Sequence, residues 1–169
     1  METRWYACYT RARAEKQVAK TLQQRGIESY LPLIPRERQW KDRKKVVEFP
    51  LFPSYVFGKF GPLLVHAVLT TPGVSTIVRS QGVPVPVADE ELENVRRFAL
   101  AVTMTGVEPD ARPLIAEGQR VRVTEGAFAG VEGVVIESRG RKRVVVGISA
   151  IGQGLEIDID TRLLQPLRG

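Results

Sequence analysis

A change of hydrophobic pattern near residue 106 limits the possible folds of this chain more than any other feature. Before it, strand-like stretches alternate with helical stripes. After it, only short stretches with a period of two occur, such as LEIDID at 155–160. Between them lies GVEPDARPLIAEG, at 106–118, which mixes Gly, Pro and charged residues without a period and is typical of a linker. The sequence therefore predicts two domains, at 1–105 and 118–169, joined by a linker at 106–117.

The first predicted domain mixes both kinds of secondary structure. A strand-like RWYACYT precedes a polar segment in which Ala14, Val18 and Leu22 form one apolar stripe that ends at Gly26. Further strand-like stretches read IESYLPLI, SYVFGKF and VSTIVR, and a later helical stripe begins near Asp89. This order predicts an α+β sandwich in which helices flank one antiparallel sheet.

The second predicted domain contains strands alone. Its strand-like stretches include RVRVT, GVEGVVIES, KRVVVGIS and LEIDID. Five short strands in so few residues are typical of a small SH3-like barrel. We expect this five-stranded β-barrel to be undocked from the first domain or only loosely docked.

The net charge of +6 is concentrated at the front of the chain. Residues 1–105 carry 16 basic and 10 acidic residues, whereas residues 106–169 carry 9 of each. Between Arg11 and Lys45 there are 11 basic and 4 acidic residues. A focused positive field favours a polyanion such as nucleic acid, and a merely solvated surface is the alternative.

Several classes of protein fit the sequence poorly. The single cysteine, Cys8, and the single histidine, His66, exclude an internal disulfide and a zinc finger. We also expect no Ser/His/Asp catalytic set. Asp158 and Asp160 alternate with isoleucines, as on the wet side of a strand, and no P-loop motif occurs. We therefore expect a protein that is not an enzyme and needs no cofactor and no metal.

The sequence also bears on location. No stretch approaches the roughly 20 apolar residues of a membrane span, and the N-terminus lacks the apolar core of a secretory signal. We expect a cytoplasmic protein.

Aromatic residues and prolines cluster at the entrance of one strand, in PLFPSYVF at 50–57. Proline at this place leaves backbone unpaired, which suits a surface. An apolar surface patch usually marks a protein interface, whereas the alternative is that the aromatics belong to the core. The predicted patch consists of Tyr9, Phe52, Pro53, Tyr55 and Phe57.

These segments resemble the NusG family. WYACYTRARAEKQVAKTL, PLFPSYVF and TPGVSTIVR are similar to the NusG N-terminal (NGN) domain, and GQRVRVTEGAFAGVEGVVIE resembles a KOW motif. The stretch RQWKDRKKVVEFPLFPSYVF is more similar to the specialised RfaH-like and UpxY-like paralogues than to housekeeping NusG. The resemblance implies a transcription elongation or antitermination factor that raises processivity.

The resemblance also implies partners for both predicted surfaces. The aromatic patch would bind the clamp helices of the largest subunit of RNA polymerase. His66 would touch the opposite jaw, or else be a satisfied helix histidine without a partner protein. Basic residues would face the upstream fork or the non-template DNA strand, with Trp40 stacked on an unpaired base or else folded back over its own segment. The predicted DNA-contacting residues are Arg11, Arg13, Lys16, Arg36, Arg38, Trp40, Lys41, Arg43, Lys44 and Lys45.

For the KOW domain, the resemblance implies a second partner. Phe128 and Ile151 would contact Rho or a small-subunit ribosomal protein. We expect a monomer. The alternative function is a ribosome-associated or RNA-binding KOW module.

Overall fold

The structure is a computed structural model that describes residues 2–114 and 118–168. The backbone divides into two compact units, one up to Ala88 and one from Asp89 onwards. The α+β class predicted from the sequence is confirmed, because helices and antiparallel strands are present in the described residues.

The first unit consists mainly of strands. Its elements are β1 (Arg4–Thr10), α1 (Glu15–Gln24), β2 (Glu28–Tyr30), β3 (Leu33–Trp40), β4 (Arg43–Pro50), β5 (Tyr55–Phe60), α2 (Val65–Leu69), β6 (Val74–Ile77), β7 (Arg79–Ser80), β8 (Val83–Pro84) and β9 (Pro86–Val87). The main sheet has the order β2-β5-β1-β6, with β9 also paired to β1. β3 pairs with β4, and β7 pairs with β8, as two separate hairpins.

The core of this unit lies between α1 and one face of the main sheet. Val18 and Leu22, from the predicted apolar stripe, are buried in one cluster with Cys8, Val56 and Phe60. The amphipathic period of α1 and the alternation of β1 and β5 bring these side chains together. Burial of this apolar surface is what holds the helix against the sheet.

Proline divides a stretch that reads as one strand. IESYLPLI becomes β2 and β3, which belong to different sheets. Pro32 lies between them and has no N–H to give to a ladder, while its carbonyl accepts a hydrogen bond from the Leu51 N–H at 2.9 Å. The chain therefore leaves the main sheet at Pro32 and returns to it only at β5.

Within its described residues, the second unit contains one long helix and one sheet. Its elements are α3 (Asp89–Thr105), β10 (Asp110–Pro113), β11 (Gln119–Val123), β12 (Glu132–Ser138), β13 (Arg141–Ile148), β14 (Gln153–Asp158) and β15 (Leu164–Pro166). The strand order is β10-β14-β13-β12-β11-β15. Five of these strands lie in the predicted barrel segment, and β10 comes from the segment predicted as a linker. Residues 115–117 of that segment lie outside the described residues.

The helix α3 packs on this sheet. The ring of Phe98 lies 5.8 Å from the ring of Phe128, and Asn94 is hydrogen-bonded to the backbone of Glu132. The helix α3, which the sequence analysis placed in the first predicted domain, therefore contacts the predicted barrel segment, and the expectation of an undocked or only loosely docked barrel stays a prediction. The predicted domain boundaries near residues 105 and 118 stay a prediction, namely that residues 1–105 and 118–169 fold independently of each other.

Candidate functional site

The longest exposed element of the first unit is the hairpin of β3 and β4, called the arm here. Its eight residue pairs run from Leu33 and Pro50 to Trp40 and Arg43, and a two-residue turn, Lys41–Asp42, closes it. Lys41 has φ 51°, as the first residue of a tight hairpin turn requires. A two-residue turn fixes the register, and the register decides which side chains share a face.

The two faces of the arm differ in charge. Directly paired residues share a face, and side chains alternate along each strand. One face, the basic face, carries Arg36, Arg38, Trp40, Arg43 and Lys45. The opposite face carries Glu37 and Glu48, the two acidic residues of these strands. It also carries Lys44 and the exposed Val46.

Aromatic rings accompany the cations on the basic face. At the outer end of the basic face, next to the turn, Trp40 is 59% exposed. Nearer the inner end of this face, the guanidinium carbon of Arg38 lies 4.6 Å from the centroid of the Phe49 ring, and the guanidinium carbon of Arg36 lies 5.9 Å from the same centroid. Such cation–π contacts hold guanidinium groups flat over a ring. Phe49 was not among the predicted site residues.

The beginning of α1 faces the inner end of the arm across a cleft of about 380 Å³. This cleft brings together three of the predicted DNA-contacting residues, Arg13, Lys16 and Arg36. Arg11 is not among its lining residues, and Lys41 lies at the tip of the arm. The lining residues are Ala12, Arg13, Glu15, Lys16, Arg36, Val47, Glu48, Phe49, Pro50, Pro53 and Ser54.

The predicted aromatic patch needs a correction. Phe52 and Phe57 are only 2% and 0% exposed, so the expectation that they lie on the surface was wrong. Phe52 is the first residue of a four-residue turn, which Pro53, Ser54 and Tyr55 complete. The Tyr55 N–H donates to the Phe52 carbonyl at 3.2 Å, and the third residue, Ser54, has φ 71°. A type II turn has this pattern. Proline therefore serves the turn, and the turn directs Phe52 inwards.

The tyrosines of the patch remain accessible. Tyr9 is 44% exposed, and its ring lies 5.4 Å from that of its cross-strand partner Tyr55. The pairing of β2 with β5 adds Tyr30 to the same sheet face, since Tyr30 pairs with Phe57. We call Tyr9, Tyr30 and Tyr55 the tyrosine face. Tyr30 was missed from the sequence because only strand pairing reveals it.

The remaining predicted residues lie on separate elements. His66 is exposed on α2, and its carbonyl accepts hydrogen bonds from Thr70. Phe128 is partly buried against Phe98, and Ile151 is partly buried in a short turn before β14. Burial raises the pKa of the Cys8 thiol to about 12, which leaves it protonated and unreactive at neutral pH.

One charged cluster in the second unit was also missed. Arg143 is 7% exposed, and its Nη1 donates to Asp110 and to Glu156, both at 2.8 Å. Its Nε lies 3.2 Å from Asp158 Oδ1 without the geometry of a hydrogen bond. Arg112 adds a 2.8 Å bond to Glu156. This network connects β10, β13 and β14.

The network perturbs its carboxyl groups. The hydrogen bond from Arg143 lowers the pKa of Asp110, and burial opposes that shift only in part. Burial by itself would raise the pKa of Glu156, but hydrogen bonds from Arg112 and Ser138, together with the charge of Arg143, lower it. Both carboxyl groups are therefore held ionised by their arginine partners.

The described residues contain neither a metal-binding cluster nor a membrane-spanning helix. Within them, no group of three or more His, Cys, Asp or Glu side chains is arranged to hold a metal ion. No helix in residues 2–114 and 118–168 is long and apolar enough to cross a membrane.

Comparison with known proteins gives a consistent result. The sequence profile of the family described as "Transcription termination factor nusG" matches residues 3–96. The transcription termination/antitermination protein NusG of Thermus thermophilus is 29% identical, over 94% of this chain and 96% of its own. NusG of Pseudomonas aeruginosa is also 29% identical, over 95% and 96%.

A solved structure agrees with the sequence match. The structure titled "Domain interaction in Thermotoga maritima NusG" has a TM-score of 0.52 and 26% identity, and the match covers 99% of each chain. Because the family profile matches more than half of the residues, this chain belongs to the NusG family of transcription termination factors.

Proposed function

We propose that this chain is a bacterial elongation and antitermination factor that binds RNA polymerase and upstream DNA at the same time. The observation that carries the DNA contact is the segregation of charge on the arm. Four cations and Trp40 lie on the basic face, and both acidic residues of the two strands lie on the other. A solvated arm without a ligand has no need of such segregation.

The basic face suits DNA near the upstream fork. Arginine and lysine bind phosphates without reading sequence, and this fits a factor that moves along many sequences with polymerase. Exposed Trp40 lies next to its cross-strand partner Arg43 at the outer end. There it stacks on an unpaired base of the non-template strand while Arg43 holds the adjoining phosphate.

The tyrosine face suits the polymerase. Tyrosine offers a large contact area with few rotatable bonds, and it is enriched among residues that dominate binding energy. Tyr9 and Tyr55, with the exposed Pro53 beside them, contact the clamp helices of the largest subunit. His66 contacts the opposite jaw. Binding both jaws favours the closed, active polymerase over the open one, and differential affinity of this kind reduces pausing.

The second unit recruits another partner through Phe128 and Ile151, either Rho or a small-subunit ribosomal protein. Linkage to a polymerase-bound domain raises the effective concentration of that partner at the nascent transcript. The protein acts as a cytoplasmic monomer.

Copurification with core RNA polymerase tests the polymerase contact. Tagged wild-type chain should retain the polymerase, and the double variant Tyr9→Ala/Tyr55→Ala should retain much less. Val83→Ala is the matched control, because Val83 is also an exposed apolar residue, 65% accessible, but belongs to the separate β7–β8 hairpin. Equal retention of polymerase by all three proteins would refute the assignment of the tyrosine face.

A second candidate function is RNA binding by the KOW-like sheet. It is favoured by the tip of the β12–β13 hairpin, where Arg139, Arg141 and Lys142 are exposed around Gly140. Ion pairs of Arg139 with Asp110 and of Arg141 with Asp158 weaken that field. Lys142→Gln should weaken RNA binding if this second function is correct, and Lys45→Gln should do so if the arm is the nucleic-acid site.

A further inference from the structure

We propose that Arg25, at the end of α1, positions His66 for its partner by holding the last turn of α2. This inference rests on the proposed contact of His66 with the opposite jaw of the polymerase, and it adds a residue that acts on that contact from behind. Arg25 and Ala67, its main partner in α2, are 42 positions apart in the chain, so only the fold brings them together.

The helix α2 is too short to fix its own orientation. It has five residues, Val65–Leu69, whereas isolated helices shorter than about 12 residues are marginal in water. Val68 anchors its inner side, because this residue is fully buried in the core cluster that also contains Leu22 of α1. Burial of apolar surface is non-directional. A second, directional contact is therefore needed to fix how the outer side of α2 presents the exposed His66.

Arg25 makes that directional contact. Its Nη1 donates to the Ala67 carbonyl at 2.8 Å and to the Thr71 hydroxyl oxygen at 3.2 Å. The Thr71 hydroxyl itself donates to the same Ala67 carbonyl at 2.9 Å. Ala67 follows His66 directly in the chain, so these hydrogen bonds hold the peptide unit next to the His66 side chain.

The position of Arg25 between two helix ends explains the need for a cation. Arg25 is the C-cap residue of α1, and Gly26, with φ 78°, follows where that helix ends. The same guanidinium group reaches a carbonyl of the last turn of α2. The C-terminal end of a helix carries partial negative charge, which a nearby cation stabilises. A neutral side chain at this position would leave two such ends without a cation between them.

Exposure separates this role from stabilisation of the core. Arg25 and His66 are both exposed, and neither belongs to the buried cluster described for the first unit. Thr70 completes the end of α2, because its N–H and its hydroxyl donate to the His66 carbonyl at 3.0 and 2.9 Å. Surface substitutions outside a core usually change stability little. Loss of the Arg25 side chain should therefore loosen α2 without unfolding the unit.

Nuclear magnetic resonance of the full chain tests the positioning directly. His66 is the only histidine, so labelling with isotope-enriched histidine gives the signals of one imidazole. In Arg25→Met these signals should move towards those of the urea-unfolded chain, and the Thr70 amide should exchange about fivefold faster. Arg25→Lys keeps a cation and a donor, so both measurements should return most of the way to wild type. Lys20→Met is the matched control, because exposed Lys20 is also on α1 and makes no hydrogen bond or ion pair within the described residues.

A double-mutant cycle with core RNA polymerase tests whether Arg25 acts through His66. Arg25→Met should weaken binding about threefold and His66→Ala about tenfold. The double variant should bind no more weakly than His66→Ala alone, because the residue that Arg25 positions is then absent. Lys20→Met should bind as tightly as wild type. The thermal unfolding midpoints of all these variants should stay close to that of wild type, since the substituted side chains are exposed.

The two experiments can fail separately. Unchanged imidazole signals and unchanged Thr70 exchange in Arg25→Met would overturn the positioning of α2 by Arg25. A further loss of about threefold when Arg25→Met is added to His66→Ala would overturn the route through His66, because independent sites have additive effects. Wild-type affinity of His66→Ala would instead overturn the jaw contact of the proposed function, whereas the resonance signals of Arg25→Met would still decide the positioning.

Discussion

The side-chain amide of Asn94 pairs with the backbone of Glu132 in the manner of a neighbouring strand. Its Nδ2 donates to the Glu132 carbonyl oxygen at 2.7 Å, and its Oδ1 accepts the Glu132 N–H at 2.7 Å. One helix turn earlier, Glu91 accepts hydrogen bonds from the N–H and the hydroxyl of Ser149 at 3.0 and 2.7 Å. These four hydrogen bonds fix α3 on the sheet of the second unit at two places. They also satisfy backbone N–H and carbonyl groups of Glu132 and Ser149 that would otherwise need hydrogen bonds to water.

Removing the Asn94 amide should loosen α3. Asn94→Ala leaves both backbone groups of Glu132 without this partner, and we expect a loss of about 1–3 kcal/mol in the free energy of unfolding of the second unit. Hydrogen exchange of the Glu132 amide measures the effect directly, and its protection should fall. Asn94→Asp is the control, because it keeps the acceptor for that N–H. Equal protection in wild type and Asn94→Ala would contradict the prediction.

Arg143 should contribute more to stability than its exposed neighbour Arg141. Arg143→Met leaves the nearly buried Glu156 with fewer compensating charges, and we expect a loss of about 3 kcal/mol in unfolding free energy. Arg141→Met is the matched control, because the Arg141 side chain is 74% exposed and pairs only at the surface; its cost should be within about 1 kcal/mol. Urea unfolding of the three proteins measures both values, and similar losses in the two variants would contradict a buried role.

The same network predicts loss of stability in acid. The pKa values of Asp110 and Glu156 are lowered in the folded state from ordinary values of 3.8 and 4.5. A carboxyl group with a lowered folded pKa stabilises the fold above its ordinary pKa and loses that contribution as the pH falls through its folded value. Wild-type stability should therefore drop below about pH 4.5, and Arg143→Met should show a flatter profile. Parallel profiles would contradict this.

The corrected aromatic patch predicts opposite effects for two neighbouring residues. Phe52→Ala empties a core position and should cost about 3–5 kcal/mol of unfolding free energy. Tyr55→Ala should change stability much less but weaken polymerase binding by about 1–3 kcal/mol. Thermal unfolding and polymerase binding, measured on both variants, separate core from interface. Loss of folding in Tyr55→Ala would place Tyr55 in the core instead.

Adjacent lysines on opposite faces of the arm should differ in their effect on DNA binding. Lys45 lies on the basic face and Lys44 on the opposite face. Lys45→Gln and Lys44→Gln therefore make the same chemical change on the two different faces of the arm. Lys45→Gln removes one phosphate contact, so that fewer counterions are released on binding. The slope of log affinity against log salt on single-stranded DNA should therefore become shallower by about 0.7. Lys44→Gln should leave it almost unchanged. Equal changes of the salt slope in the two variants would show that DNA does not bind preferentially to the basic face.

Sequence alone determined the class of elements and the family of this protein. The apolar stripe of Ala14, Val18 and Leu22 and the alternation in LEIDID specify a helix and a strand locally, because each depends on neighbours only a few residues away. The basic character of residues 11–45 is likewise a property of composition. The prediction of NusG membership rested on contiguous motifs and is confirmed by the family profile.

Tertiary structure decided which of those residues act together. The register of the arm separated Lys44 from Lys45, the turn at Pro53 directed Phe52 into the core, and strand pairing brought Tyr30 beside Phe57. Asn94 and Glu132, or Arg143 and Asp110, are far apart in the chain and meet only because the sheet pairs and α3 packs. Local propensity cannot encode such pairs. Their proximity is set by strand order, by turn geometry and by the burial of apolar surface, which are properties of the whole fold.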